Sequence, residues 1–374
     1  MLYCKKIKIL IISTTRFELD GITNVILNYY RAMDKSDLII DFVIPNDIRN
    51  DLKIELESFG SRIYKISGRS KKPFIYVKKL KMLIEENKYQ VVHAHGNSCT
   101  LALEMSAAKK GGAIVRIPHS HNSKNKFKLV HRMLRRTFNS HYTHAFACGQ
   151  LAGEWLFQEK PFEIINNGID VSRYKFNVVT REQYRNKYNL NEKIVIGHIG
   201  HFTFQKNHDF LIDVFAELYK VNNRYQLLLI GGGDLRKTIE EKVKFLGLSD
   251  AVIFAGKSLE VPQLMQAMDM IIMPSRFEGL PLSLVEAQTA CLPCYVSDAV
   301  SKEVGLTDLV NFISLSKSSK EWATIINESV LRDRNQLVNK INNQIISAGY
   351  SITENATVMK DLYKSYYSTQ LNSH

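Results

Sequence analysis

Short apolar runs, each ending in a loop and followed by an amphipathic stretch, recur along the whole chain, and this alternation constrains the fold most. In the first half the runs are Ile7–Ile12, Leu38–Val43, Arg62–Ile66, Val91–Ala94, Ala113–Ile117 and Ala145–Cys148. Between them, helical spacing of apolar residues covers Ile22–Met33, Asn50–Phe59, Phe74–Glu86, Leu101–Lys110, Leu129–Phe138 and Leu151–Phe157. Continuous rather than alternating apolarity is what a strand covered on both faces requires. Repetition of β-α-β then predicts an α/β fold with a doubly wound parallel sheet and right-handed crossovers. The pattern restarts at Ile194–Ile199, Leu227–Ile230, Val252–Phe254 and Met270–Met273. With 374 residues, one core is too small and two domains are expected. We place them at 1–172 and 173–352, with a helix over 353–374. Asn166-Asn167-Gly168 breaks a strand at the first boundary as a turn signal, and Thr180–Gln183 has capping-box spacing ahead of a polar helix.

Composition narrows the class. The chain is 45% hydrophobic, enough to build both cores, so disorder is not expected. No uncharged apolar run reaches the length of about 18 residues that a membrane span needs. The N-terminus reads as a first strand, since no small-residue cleavage site follows its apolar run. Five cysteines, sparse and odd in number, fit a reducing, cytoplasmic setting; Cys291 and Cys294 read as small core residues, with no second pair for zinc. The formal charge of +13 is lopsided: Met1–Ser172 holds 27 Lys and Arg against 16 Asp and Glu. That half is expected to face something anionic: nucleic acid, acidic lipid or a lipid-linked diphosphate. Its densest stretch, with Lys124, Lys126, Lys128, Arg132, Arg135 and Arg136, sets basic residues against Phe127, Val130, Leu134 and Phe138 at helical spacing. Such a helix fits either the inner membrane surface, peripherally, or an ordinary core with a solvated face.

Candidate chemistry lies at strand ends, where open α/β sheets bind ligands. Pro274–Pro293 reads strand, loop with Gly279 and Pro281, then helix from Leu282. Glu278 and Glu286 stand eight residues apart, about 12 Å along a helix axis. They can hold both ends of an elongated ligand while the free N–H groups of the helix start face an anion between them. Two other strand ends carry paired histidines, His93 with His95 and His119 with His121. Residues i and i+2 of a strand share a face, so each pair could grip a metal, although no Asp, Glu or Cys nearby in sequence completes a tetrahedral set.

The run E-G-L-P-L-S-L-V-E, preceded by P-S-R-F, resembles the E-x7-E element of the retaining, nucleotide-sugar-dependent glycosyltransferases of GT-B fold, family 4. The closest flavour is that of bacterial exopolysaccharide and capsule enzymes. The resemblance implies two Rossmann-like domains facing a central cleft, with a last helix crossing back to the first domain. It implies a UDP-sugar donor, no cofactor and no bound metal. Glu278 would hold the donor hexose and Glu286 the ribose hydroxyls, with Gly279 and Leu280 between them. Family members carry Gly-Arg and, five residues after that Arg, a Lys, together gripping the diphosphate; here Lys206 keeps the spacing and His201 replaces the Arg. A neutral imidazole gives one donor where Arg gives a bidentate fork, so either a nearby phosphate charges His201 or Arg276 compensates. Gly231–Leu235 would turn beside the nucleotide, and Lys257 and Ser258 would meet the base. Gly21 matches the first glycine-rich loop, where Asp20 replaces a glycine. The histidine approaching the donor sugar would be His119, with His121 as second choice.

Taken together these readings predict a retaining transferase that moves a hexose from a UDP-sugar to an anionic, lipid-linked or polysaccharide-precursor acceptor bound by the basic first half. An epimerase of the same fold and a basic nucleic-acid-binding protein are the alternatives. The second lacks aromatic residues interleaved with its basic run.

Overall fold

The computed structural model describes residues 6–18, 21–122 and 128–372. It forms two compact units, one of Met1–Gly168 with Ile352–His374 and the other of Ile169–Ser351.

In the first unit the strands are β1 (Ile7–Ser13), β2 (Leu38–Ile44), β3 (Ile63–Lys65), β4 (Val91–Gly96), β5 (Val115–Ser120), β6 (Phe146–Ala147) and β7 (Glu163–Ile164). They form one sheet in the order β3-β2-β1-β4-β5-β6-β7, with every pairing parallel. Alternate residues of β1 serve opposite cores. Ile9 and Ile11 join Val25, Ile26, Tyr29 and Tyr30 of α1 (Gly21–Ala32), whereas Leu10 and Ile12 face α3 (Pro73–Asn87) and α4 (Ala102–Lys110); α2 (Asn50–Ser58) adds Leu52 and Leu56 to the α1-side core. A strand buried on both faces has no polar side to display, which is why its sequence is continuous. Two further helices follow, α5 (Lys128–Asn139) and α6 (Gln150–Phe157).

The second unit contains α7 (Val171–Tyr174), α8 (Val178–Lys187), β8 (Ile194–Ile199), α9 (His208–Val221), β9 (Tyr225–Ile230), α10 (Arg236–Phe245), β10 (Val252–Gly256), α11 (Val261–Ala267), β11 (Met270–Met273), α12 (Leu282–Thr289), β12 (Cys294–Ser297), β13 (Val310–Ile313), α13 (Ser319–Asn327) and α14 (Arg334–Ser347). Its parallel sheet runs β10-β9-β8-β11-β12-β13. The strand order reverses between β1 and β4 in one sheet and between β8 and β11 in the other. Crevices outside the carboxyl ends at such reversals are where open α/β sheets take ligands.

The last helix, α15 (Ile352–Asn372), belongs to the first unit, where it buries Ile352, Ala356, Met359 and Tyr363 against the α1 side of the sheet. Lys360 reaches Asp34 at 2.6 Å and Asp37 at 2.7 Å on its solvent side. Exposed pairs of this kind contribute at most about 1 kcal/mol, so the apolar stripe does most of the docking.

One local expectation changes and another holds. Helix α8 starts before Thr180: Asn177 caps it, its Oδ1 accepting the Thr180 N–H at 2.8 Å, so Thr180 is a first-turn residue. Cys291 and Cys294 are both buried, the first at a positive φ of 57° after α12 and the second opening β12. Burial pushes the Cys291 thiol up to about 11, which keeps it protonated and inert.

Candidate functional site

Two loops of the second unit, 200–207 after β8 and 274–281 after β11, are laced together at three points. The Arg276 N–H donates to Gln205 O at 2.8 Å. The Asn207 Nδ2 donates to Pro274 O at 3.0 Å. Lys206 Nζ lies 2.8 Å from Glu278 Oε1, the two side chains only 16% and 12% exposed. Asn207 sits at φ 57°, ψ 43° just ahead of α9, a left-handed geometry that Asn tolerates better than most residues. The Lys206 stem lies flat on Gly200, where a Cβ would come within 3.0 Å of it. Gly200 O in turn lies 2.0 Å from where a Cβ of Gly231 would stand, and Gly231 has φ +149°. Gly231 is therefore required by the backbone, and a Cβ at Gly200 would crowd the lysine stem. The backbone of Glu278 is fixed from behind by a bridge to Val300 and by the Ser301 N–H donating to its carbonyl at 3.1 Å.

The other predicted donor residues are dispersed around this pair. Arg276 is exposed and lays its guanidinium over the exposed ring of Phe204, 4.4 Å from the centroid. His201 is exposed. Gly279 is open: nothing lies within 4 Å of where its Cβ would be. Leu280 packs on the core beneath. Lys257 stretches across Gly232, its Cε 3.2 Å from that residue's Cβ position. Ser258 serves the chain itself, its Oγ accepting the Glu260 N–H at 3.0 Å ahead of α11. Glu286, on α12, is half-buried and faces Tyr174 and Arg173 of α7; burial raises its pKa, while the Tyr174 hydroxyl and Arg173 pull it back. The sequence reading did not single out Tyr174 or Asn207. Their signals are an aromatic residue shortly after N-G-I-D and the Asn following Lys206. Beneath the lysine loop, His198 Nδ1 donates to Ile272 O at 2.8 Å, and His208 stacks on Phe202 at 4.1 Å. Burial and the Lys206 charge hold both imidazoles neutral, at about 4 and about 2.

In the first unit, strand register does what each histidine pair alone cannot. β4 and β5 pair with His95 opposite His119, so four imidazoles form a grid. His93 Nε2 meets His119 Nδ1 at 3.1 Å, with the rings 6° from parallel and centroids 5.2 Å apart, an edge-to-edge contact. His95 Nδ1 meets His121 Nε2 likewise at 2.8 Å. The two pairs lie one over the other, with His93 and His95 centroids 4.2 Å apart and those of His119 and His121 4.3 Å apart. Ligand atoms of His93, His95 and His119 fall within 4.8 Å of one another. Within each pair the two nitrogens oppose one another along their ring edges, so one donates and the other accepts in an N–H···N bond. His119 is fully buried and His121 half-buried. Gly21 opens α1 and is exposed; its neighbour Asp20 lies outside the described residues.

Helix α5 presents a different face from the expected one. Lys124, Lys126 and Phe127 lie outside the described residues, and Lys128 begins the helix. His131, Leu134 and Phe138 point inward together with Arg135, which donates to Leu156 O at 3.1 Å and also meets His131. Arg135 is thus a packing residue and not part of a basic surface. The outward face carries Arg132 and Arg136 beside Leu129 and Met133, exposed by 73% and 72%. Among the described residues, no helix is long and apolar enough to cross a membrane.

Two parallel, doubly wound sheets, the second carrying a lysine–glutamate pair at its strand reversal, define the architecture as that of the GT-B class. Comparisons with known proteins agree. The chain matches the family of glycosyl transferases group 1 over residues 180–350 and glycosyltransferase family 4 over residues 19–173. It is 33% identical over 365 residues to glycosyltransferase EpsF of Bacillus subtilis (strain 168), covering 92% of this chain and 93% of that protein. It is 26% identical over 317 residues to the Escherichia coli UDP-Gal:alpha-D-GlcNAc-diphosphoundecaprenol alpha-1,3-galactosyltransferase, covering 75% and 76%. Among solved structures it resembles Anabaena Alr3699/HepE in complex with UDP-glucose, with a TM-score of 0.73 and 19% identity over 96% of this chain and 99% of that one. The chain belongs to glycosyltransferase family 4. It is a transferase of polysaccharide biosynthesis, which decides against the epimerase and nucleic-acid readings.

Proposed function

We propose that this protein moves a hexose from a UDP-sugar to a lipid-linked glycan acceptor with retention of anomeric configuration. The Lys206–Glu278 pair, held between the loops of two adjacent strands, carries this reading. A pair that is mostly shielded from water yet open beside Gly279 is poised to exchange partners. On donor binding, Lys206 trades the carboxylate for a diphosphate oxygen, and the released Glu278 accepts hydrogen bonds from sugar hydroxyls. The start of α12 adds N–H groups that favour an anion. Glu286, kept in place by α7, accepts from the ribose hydroxyls. As the anomeric carbon–phosphate oxygen bond breaks, negative charge gathers on the diphosphate, where a preorganised lysine is most effective. The acceptor oxygen bonds to the anomeric carbon from the side the diphosphate leaves, and its proton passes to the departing phosphate oxygen.

Support for the donor comes from HepE, solved with UDP and with UDP-glucose; support for a lipid-linked acceptor comes from the diphosphoundecaprenol in the E. coli relative's name. Screening UDP-sugars by nucleoside diphosphate release tests the proposal. Wild type is expected to turn over at least one donor, with the Glu286→Ala variant about tenfold or more weaker in kcat/KM, the loss of a charge-assisted hydrogen bond. Equal turnover in both would remove Glu286 from the site.

The outward face of α5 supports a peripheral membrane contact in the same reading, because cations flanking exposed Leu129 and Met133 suit an anionic bilayer surface. Sedimentation with phosphatidylglycerol vesicles is expected to fall on Leu129→Asp/Met133→Asp substitution. Binding that survives both changes, or that is equal on phosphatidylcholine, would assign the face to another role.

A further inference from the structure

We propose that Tyr363 and His93 are positioning residues that fix the tautomer of His119, so that His119 presents Nε2–H as a hydrogen-bond donor to a carbohydrate ligand oxygen. The inference rests on the reading of His119 as a sugar-facing residue under the function proposed above.

One row of the grid carries a directed chain of hydrogen bonds. Tyr363, on α15, is fully buried, and its hydroxyl meets His93 Nδ1 at 2.6 Å. Burial raises the phenol's pKa far above its ordinary value and lowers those of both imidazoles, so all three groups are neutral near pH 7. Among the described residues the hydroxyl has no other hydrogen-bond partner, so its proton goes to His93 Nδ1. A neutral imidazole that accepts at one nitrogen carries its proton on the other. His93 therefore donates from Nε2 to His119 Nδ1 across 3.1 Å. His119 must then hold its own proton on Nε2, and that atom is buried without a partner among the described residues. Reversing every bond would leave the Tyr363 proton stranded in the core, at a cost comparable to a lost buried hydrogen bond.

The neighbouring row lacks such a terminus. His95 Nδ1 and His121 Nε2 are 2.8 Å apart, but among the described residues no phenol closes that pair. The contrast explains why a C-terminal helix that could dock through Met359 and Ala356 alone also inserts a hydroxyl under β4. It also extends the sugar-facing role across the sheet, from a strand end to a helix about 270 residues away in sequence.

Nitrogen-15 NMR of histidine-labelled full-length protein reads the tautomer directly. Wild type is expected to show His119 with a protonated Nε2 and an unprotonated Nδ1. Tyr363→Phe keeps the ring and removes the donor; the His119 signals are expected to shift toward a mixture of tautomers, with KM for the sugar donor rising about three- to tenfold, as for one lost hydrogen bond, and kcat changing less. His119 protonated on Nδ1 in wild type would overturn the inference even if Tyr363→Phe does not fold. A tautomer unmoved by Tyr363→Phe, or a moved tautomer with unchanged KM, would overturn it as well. Absence of donor turnover in wild type, with the tautomer as expected, would instead count against the proposed function.

Discussion

Replacing Lys206 with alanine is expected to lower kcat about 10²- to 10³-fold, the range seen when a preorganised stabiliser of developing negative charge is removed. The geometry gives the reason. Lys206 is pressed against Gly200 and locked by the Asn207–Pro274 and Arg276–Gln205 hydrogen bonds, so its ammonium needs no reorganisation when the diphosphate departs. Lys206→Arg is expected to recover only part of the loss, because a planar fork cannot take the place of a compact ammonium at the end of the same seated stem. Folding would suffer less. Glu278 loses its ion partner in a mostly shielded position, a penalty of about 1–3 kcal/mol. A steady-state assay beside a thermal melt separates the two: a Lys206→Ala protein that melts within a few degrees of wild type and still turns over normally would contradict the assignment.

Acid is expected to unfold the protein well before its carboxylates titrate. Burial holds His93 and His121 at about 3, and His95 and His119 well below their ordinary value. The groups packed around them are the phenols of Tyr29, Tyr30 and Tyr363 with apolar Met359 and Phe146, which offer no charge to welcome a proton. The folded pKa lies below the unfolded value of about 6.5. Stability is therefore complete above pH 6.5 and drains as pH falls from there toward about 3, because the unfolded chain binds protons that the folded one refuses. Each such histidine contributes a slope of about 1.4 kcal/mol per pH unit within that window. His198 and His208 act in the same direction in the second unit. Thermal melts are expected to be flat between pH 8 and 7 and to drop steeply between 6.5 and 5. A melting temperature constant down to pH 5 would show that these imidazoles are charged or solvated in the folded state.

How much of this was legible in the sequence depends on whether a feature is local. The strands β1, β4, β8, β9 and β11 announce themselves because burial on both faces leaves mostly apolar runs, broken at most by single polar residues. β12 and β13 do not: Cys-Tyr-Val-Ser and Val-Asn-Phe-Ile are four residues long and interrupted by polar groups, although they sit in the same sheet. Lys206 and Glu278 were each readable from their own motifs. Their contact was not, since it follows from β8 and β11 being neighbours in a doubly wound order. Likewise each histidine pair is visible alone, while the grid requires the register that sets His95 opposite His119. On α5 the spacing of Val130, Leu134 and Phe138 pointed to the wrong boundary of the buried stripe. His131 and Arg135 turn inward because Cys99 N–H and Leu156 O give their polar atoms partners, something helical periodicity does not encode.

The central claim is that the second unit holds a nucleoside diphosphate against Lys206 and Glu286, and a calorimetric titration with UDP measures this without any acceptor. Wild type is expected to bind one UDP per chain, with Lys206→Ala and Glu286→Ala each weaker by about tenfold or more, at about 1.4 kcal/mol per tenfold. Undiminished UDP affinity in both variants would contradict the account.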